Sequence, residues 1–422
     1  MNFKIKNFGK IKEANVKLDG ITVICGNNNT GKSTVGKALF AFYNSLYDYR
    51  TKINDEKYFQ LKNFVFSYAQ NLNRLPLNML AKKSDEFINS HTGKYSADEV
   101  KDYLEANFSI KLTKEKLLLL VERLNLPESD IISEYVLRYF DSIMNGQIKR
   151  INSKNEKCIV SAEFKNNVDT ISFTQKKCVC QLKEPIEHTA YYIGNPFVLD
   201  YLNKIVSLEN LSLIGMNIME RSTVDAIFKA QSDINENLMT NIFDSVLNKK
   251  DLNEIRNVLK KAYSGDTQII NGKYCYHEND SDFDFRNISA GLKSFAIIER
   301  LLETGVLKRK DVLILDEPEI HLHSEWQIIY AELIAILQKT FDLTILLVTH
   351  SFQFLESLDF FMKKHEISDK GNYYIPELTD KGFIMKSCGN NSDALKQNLS
   401  TGTFQIADME FEYDMEHNNE CE

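Results

Sequence analysis

Residues Cys25 to Thr34 read CGNNNTGKST, with the spacing Gly26-x-x-x-x-Gly31-Lys32-Ser33. This is the pattern of a loop that wraps a phosphate. Glycine admits the backbone angles that turn successive N–H groups inward, and the helix that follows offers its positive N-terminal end. Lys32 supplies a point charge for the β- and γ-phosphates, and the hydroxyl of Ser33 is placed to ligate Mg²⁺. The expected nucleotide-binding residues are Gly26, Asn27, Asn28, Asn29, Thr30, Gly31, Lys32, Ser33 and Thr34. The expected ligands are ATP and Mg²⁺.

Three further stretches carry matching chemistry. DVLILDEPEIHLH (311–323) places a continuous apolar run before Asp316 and Glu317. Such a run reads as a fully buried strand. If it lies beside the strand of the phosphate loop, Asp316 is positioned to hold the metal through water. Side chains alternate along a strand, so Glu317 points the other way, toward a water it can polarise. TILLVTHS (344–351) is a second buried strand, and it delivers His350 toward the γ-phosphate. NISAGLKSFAIIERLLE (287–303) opens an amphipathic helix at Ser289-Ala290-Gly291, another N-terminus suited to phosphate. The candidate catalytic residues are Lys32, Glu317 and His350. The candidate metal ligands are Ser33 and Asp316. Ser289 and Gly291 are candidates for a phosphate contact.

These segments need a scaffold that brings distant parts of the chain together. FKIKNF and IKEANVKL alternate as strands, and ITVICG reads as a short buried strand leading into the phosphate loop. STVGKALFAFYNSLY has the three- and four-residue apolar recurrence of a helix. From 52 to about 150 every periodic segment is helical, and no sustained heptads occur. Strands return over 157–193, helices follow, and TQIINGKYCYHE predicts a hairpin turning at Asn271-Gly272. From Asn287 onward helix and strand alternate, as in a parallel sheet covered by helices. The expected divisions are 1–50 (phosphate-loop part of the head), 51–155 (helical insertion), 156–280 (a mixed arm returning to the head), 281–400 (the remaining head) and 401–422 (an acidic tail).

Taken together, Gly26–Ser33, Ser289–Lys293, Leu315–Glu317 and Thr349-His350 resemble the ABC-type ATPase head of the SMC and RecF group. DEPEIHLHSEWQ resembles the OLD-like branch common in bacterial defence systems, with Ser324 where that branch usually has proline. The resemblance implies an α/β P-loop fold: an ABC-type head with an N-terminal β-subdomain and a mainly helical insertion. It also implies ATP-driven dimerisation or higher assembly, in which Ser289 and Gly291 close the partner copy's site. OLD nucleases carry a C-terminal Toprim domain. Here some 70 residues follow His350 without that acidic pattern, so the resemblance implies a stand-alone ATPase of a Septu-like or retron-associated system, working with a separate nuclease or toxin. Two other readings stay open: an ATP-gated scaffold with negligible turnover, and a RecF-like DNA repair ATPase.

Composition sets the outer bounds. The 422 residues are 43% hydrophobic and 26% charged, ordinary for a globular protein. No apolar run reaches membrane-spanning length, and the lysine-bearing N-terminus is no secretory signal, so a cytoplasmic protein without a membrane partner is expected. The net charge is −8, but residues 404–422 contribute −7 of it. The near-neutral remainder leaves room for a basic groove and a DNA or RNA partner. Arg256, Lys260 and Lys261, with Lys249 and Lys250 before them, are a candidate strip, weighed against an ordinary solvated helix face. Most of the 26 Phe and 19 Tyr fall at core spacing. Seven cysteines are scattered and read as free thiols. Only Cys178 and Cys180 are close, at a spacing unsuited to zinc. The tail alternates acidic and apolar residues from Asp408 to Glu416, which reads either as a solubilising segment or as a docking strand.

Overall fold

The computed structural model describes residues 1–69, 77–150, 156–165, 167–174, 177–183, 185–205, 216–236, 242–270, 273–400 and 409. Strands β1 (Asn2–Phe8), β2 (Ile11–Lys17) and β3 (Ile21–Cys25) lead into helix α1 (Lys32–Leu46). Helices α2 (Tyr49–Ala69), α3 (Leu77–Ser90), α4 (Ala97–Phe108), α5 (Lys114–Leu124) and α6 (Glu128–Met144) follow, then strands β4 (Cys158–Phe164), β5 (Asn167–Phe173), β6 (Cys178–Gln181) and β7 (Ala190–Ile193). After a 3₁₀ segment at Pro196–Tyr201 come α7 (Leu202–Ile205), α8 (Ile218–Glu236), α9 (Ile242–Ala262), β8 (Asp266–Ile270), β9 (Lys273–Glu278) and β10 (Ser281–Asp284). The chain continues with α10 (Ala290–Glu303), β11 (Val312–Asp316), α11 (Ser324–Phe341), β12 (Thr344–Thr349), α12 (Phe352–Lys364), β13 (Gly371–Thr379) and β14 (Gly382–Ser387).

Eleven strands form one sheet in the order β6-β5-β4-β1-β2-β14-β13-β3-β12-β11-β7. The five strands from β13 to β7 run parallel. The side of the sheet carrying β1, β2, β4, β5 and β6 is antiparallel. The fold is mixed α/β, in line with the class expected above. The strands of 158–193 correct the expectation of an arm beginning at 156. β4 pairs with β1 and β7 pairs with β11, so these strands extend the head's own sheet on both sides. Their apolar residues are the reason: Val160, Ala162, Ile171 and Ala190 are fully or almost fully buried in the same core as α1. The predicted turn at Asn271-Gly272 and nearly all of the acidic tail lie outside the described residues.

Strand alternation assigns the sheet's two faces. Val23, Leu313, Leu315, Ile345 and Leu347 point toward α10, α11 and α12. Ile24, Val312, Ile314 and Leu346 point toward α1 and α6. A strand buried on both faces must be apolar at nearly every position, which is why VLIL and ILLV are continuous runs, while Thr22 within ITVIC satisfies its hydroxyl by donating to the Lys17 carbonyl at 2.8 Å. Each such side chain contributes about 1.5–3 kcal/mol on leaving water. The helices of 49–144 carry a small core of their own, around Leu61, Val100, Leu104 and Leu120. A reciprocal cap starts α4: the Ser96 side chain accepts from the Glu99 N–H, and Glu99 reaches back to the Ser96 N–H.

Helix α6 lies in the head's core, and α2, which enters both cores, packs on it. Phe140 is fully buried, edge-on to Phe8 of β1 and tilted on Phe173 of β5, with ring centroids 6.0 and 5.0 Å away. Phe140→Ala leaves a cavity where three elements meet, and is expected to cost about 3–5 kcal/mol. A urea titration should show the midpoint moving down by that free energy divided by the denaturant slope, while an unchanged midpoint would mean that α6 is not anchored there.

Candidate nucleotide site

All the candidate site segments of the parallel strands lie at their carboxyl ends, the edge where open α/β sheets bind ligands. The strand order departs from expectation. β12, which leads to His350, lies directly beside β3, with Thr349 opposite Cys25. The acidic strand β11 is one place further out, with Asp316 opposite Val348. Helix α1 packs across β7, β11 and β12, and so carries Ser33 past the intervening strand. The Ser33 hydroxyl donates to Asp316 Oδ1 at 3.0 Å, closing a gap of 283 residues.

The loop between β3 and α1 has the shape its glycines permit. Gly31 sits at φ +89°, and a Cβ on Gly26 would approach Pro376 to 2.9 Å. Helix α1 begins at Gly31 without a side-chain cap, so its leading N–H groups are left for a ligand. Lys32 is buried, and its ammonium donates to the carbonyls of Gly26 and Asn27, both at 2.8 Å. The ammonium therefore lies inside the loop. Thr30 donates to the Asn27 carbonyl at 2.8 Å and ties the loop together. Asn28 is exposed at its tip, and Asn29, at φ 67°, accepts from Lys10 Nζ on the β1–β2 turn. The Thr34 N–H bonds back to the Gly31 carbonyl at 3.1 Å.

Asp316 is held from two sides, by Ser33 and by the hydroxyl of Tyr192 on β7. Burial pushes its carboxyl above the ordinary range, and these two hydroxyls work against that shift. Burial, together with the negative charge of Asp316, raises the Tyr192 phenol far above its usual value, so it stays a neutral donor. A cavity of about 210 Å³ opens beside the pair, lined by Lys37, Gly194, Asn195 and Glu220 among others. A half-buried carboxylate next to a serine hydroxyl, held by two neutral donors, fits a divalent cation: the cation would supply the positive charge that desolvation makes costly to omit.

Glu317 does not follow strand alternation. Its backbone is left-handed at φ 53°, and its N–H donates to the Val348 carbonyl at 2.8 Å. The turn, which continues into Pro318, brings its carboxylate to 3.6 Å from His350 Nδ1. Such strain in a non-glycine residue is characteristic of functional sites. Glu319 approaches the same nitrogen, also at 3.6 Å. It is buried and accepts from the Thr349 hydroxyl at 2.6 Å and the His350 N–H at 3.0 Å. Glu319 therefore fixes where β12 ends and how His350 is presented.

Ser289 caps α10 by accepting from the Leu292 N–H at 3.2 Å. A Cβ on Gly291 would come within 2.9 Å of both the His321 carbonyl and the Trp326 ring, so only glycine lets α10 lie this close to the segment after β11. Gly291 thus meets the turn beyond Pro318 and not the phosphate loop. Lys293, two residues on, is buried and pairs with Asp200 at 2.8 Å. Of the proposed basic strip, Arg256 pairs with Glu303 at 3.5 Å and Lys261 with Glu332 at 2.6 Å, so both are engaged on the head's own surface.

Sequence reasoning missed Tyr192, Glu319, Asn195 and Lys37. Tyr192 left one usable sign: a phenol in the otherwise apolar strand AYYI must find a partner when buried. Glu319 left another, an acid following proline directly after the two acids already assigned.

This arrangement defines a P-loop nucleotide site. The sequence profile of the family described as AAA ATPase domain matches residues 1–355, and the chain belongs to that family. Among curated proteins none matches significantly. Solved structures similar to the chain include an SMC head bound to the C-terminal winged-helix domain of ScpA, at 11% identity and TM-score 0.45, over 93% of this chain and 98% of that one. They also include the SMC head domain of Thermotoga maritima, at 10% identity and TM-score 0.36, over 92% and 97%. A third is the Pyrococcus furiosus SMC head bound to the C-terminal domain of ScpA, at 11% identity and TM-score 0.43, over 94% and 97%. Among the described residues no helix is long and apolar enough to cross a membrane.

The helix that Ser289 starts also carries a titratable group in its core. Burial, then the charge of Glu303, pushes Glu299 up to about 7, and Thr267 donates to it at 2.9 Å. A raised carboxyl stabilises the fold fully below its ordinary pKa of 4.5, and this contribution is lost as pH rises through about 7. Glu299→Gln keeps an acceptor for Thr267 and removes the slope. Relative to wild type, the variant is expected to gain on the order of 2–3 kcal/mol between pH 5 and pH 8. Thermal melts across that range check this, and parallel curves for the two proteins would refute it.

Proposed function

We propose that this chain binds MgATP and hydrolyses it at composite sites formed when ATP draws two copies together. The observation that carries this reading is the 3.0 Å bond between Ser33 and Asp316. It joins the phosphate loop to the acidic strand at the point where a divalent cation fits. When bound, the cation supplies Lewis-acid charge at the β- and γ-phosphates.

The chain's own groups divide the work. Lys32 leaves the carbonyls of Gly26 and Asn27 for the phosphates. The uncapped start of α1 and the loop amides wrap the β-phosphate. Ser33 and Asp316 hold the metal, with Tyr192 keeping Asp316 in place. Glu317 takes a proton from the attacking water. His350, set by Glu319, contacts the γ-phosphate and reports whether it is present.

Support for a second copy comes from the edge around this site. Ile320 is 55% exposed, and Phe197 and Phe352 are about 40% exposed nearby along the chain segments that carry the site. Apolar residues in such places suit a contact surface. Ser289 and Gly291 stand at the start of α10, against the turn that holds Ile320, and in this reading they face the partner's nucleotide. In keeping with the resemblance of DEPEIHLHSEWQ, the ATP cycle controls a separate effector, a nuclease or toxin, in anti-phage defence.

Glu317→Gln is expected to lower steady-state ATPase turnover about 100-fold or more while retaining ATP. It should also accumulate a dimer, visible by light scattering in MgATP. Lys32→Ala should lose both nucleotide and dimer. If Glu317→Gln turns over like wild type, the carboxylate is not the water-activating group. Adding duplex DNA to the assay separates the defence reading from a DNA-repair one, which requires tight binding without any partner.

A further inference from the structure

Cys178 and Cys180 occupy β6, the terminal strand of the sheet, paired among the described residues on one side only, with β5. Residues two apart on a strand share a face. Here both thiols turn toward α6, and their sulfurs are 3.8 Å apart. Cys178 is buried and Cys180 half-buried, so the pair is reachable from the side of Cys180. Between them Val179 points outward and is 47% exposed.

We propose that Cys178 and Cys180 form a redox site that closes to a disulfide and thereby loosens the nucleotide site. The oxidant class is a hydroperoxide. One thiolate attacks the peroxide, the O–O bond breaks, and a sulfenic acid forms with release of water or alcohol. The second thiolate then displaces the sulfenic oxygen as water, so that two S–H bonds are exchanged for one S–S bond. In an extended strand such residues have Cα atoms about 6.6 Å apart, at the upper end of what a disulfide spans, and the sulfurs must close to about 2.05 Å. The strand must therefore pucker at Val179. An edge strand can do this, because a single neighbour constrains it.

The pucker has somewhere to go. The Cys180 N–H donates to Ser133 Oγ of α6 at 3.4 Å, and this bond is the first to yield. On the same helix Tyr139 stacks on Phe40 of α1 at 6.4 Å, and Phe40 meets Tyr192 edge-on at 6.2 Å. Tyr192 in turn donates to Asp316. Helix α6, to which the dithiol is tied through Ser133, is therefore linked by a run of packed rings from Tyr139 to Tyr192 with the metal-holding carboxylate. The effect on nucleotide rests on the function proposed above, whereas disulfide formation does not.

The sequence makes the test direct. Lys177 and Lys183 flank the pair, so trypsin releases both cysteines in the single peptide CVCQLK. The reduced full-length chain is treated with hydrogen peroxide, quenched with N-ethylmaleimide and digested. The expected peptide is about 2 Da lighter than the reduced form and carries no maleimide. Two maleimides, or a sulfinic acid at either cysteine, would overturn the disulfide. Titration with mant-ATP is then expected to show at least about threefold weaker binding after oxidation, reversed by dithiothreitol and absent in both Cys178→Ser and Cys180→Ser. Equal affinity before and after oxidation would overturn the coupling. A reduced protein that binds no mant-ATP would count against the nucleotide reading, with the disulfide still decided by mass.

Discussion

A carboxylate half withdrawn from water is costly unless something compensates it, and the site is organised around that cost. Asp316 lies at the end of a strand apolar at every other position. Two hydroxyls reach it, one from α1 and one from β7, and neither carries charge. Neutral donors hold the carboxylate in position without satisfying it as a cation would. This leaves a deficit that a metal with a bound triphosphate can fill. The same bonds draw α1, β7 and β11 together, so the feature that prepares the site also fixes the register of three elements.

The second acidic group, at Glu317 and Glu319, solves a different problem. β12 ends against Glu319, which accepts from both Thr349 and the His350 N–H. The left-handed turn at Glu317 is strained in isolation. It persists because the Glu317 N–H is bonded across to Val348 and Pro318 follows at once. Two carboxylates thus flank one imidazole, one of them exposed enough to meet substrate and the other buried as a brace. Catalysis of the proposed kind needs this division, since a group that shuttles a proton must be free to exchange it while its neighbours stay in place.

How legible this was depended on how local each cause is. The phosphate loop could be read because its chemistry is set by eight consecutive positions, from Gly26 to Ser33. The buried strands could be read because burial on both faces demands continuous apolar runs. The strand order was less accessible. Nothing in TILLVT or VLIL states which of them lies next to ITVIC, because all three are apolar on both sides and would pair interchangeably by composition. Tyr192 was hidden for a related reason: its partner is 124 residues away. The placement of 158–193 in the head's sheet was likewise decided by pairing with β1 and β11, long-range contacts that local periodicity does not encode.

The helical insertion is the part least determined by nucleotide chemistry, and its attachment limits what it can do. Its outer helices pack on one another around Leu104 and Leu120, apart from the sheet. α2 spans the two cores, with Ile53 in the head's and Leu61 and Val65 in the helices' own, and it packs on α6, whose Phe140 lies against β1 and β5 and Tyr139 against α1. Interiors packed this closely do not deform smoothly, so a displacement of α6 must be taken up by the rings it touches. Those rings end at Tyr192 and hence at Asp316. A partner bound to the insertion and a nucleotide bound to the head would therefore act on the same few contacts, and each would alter the other's affinity by the same factor.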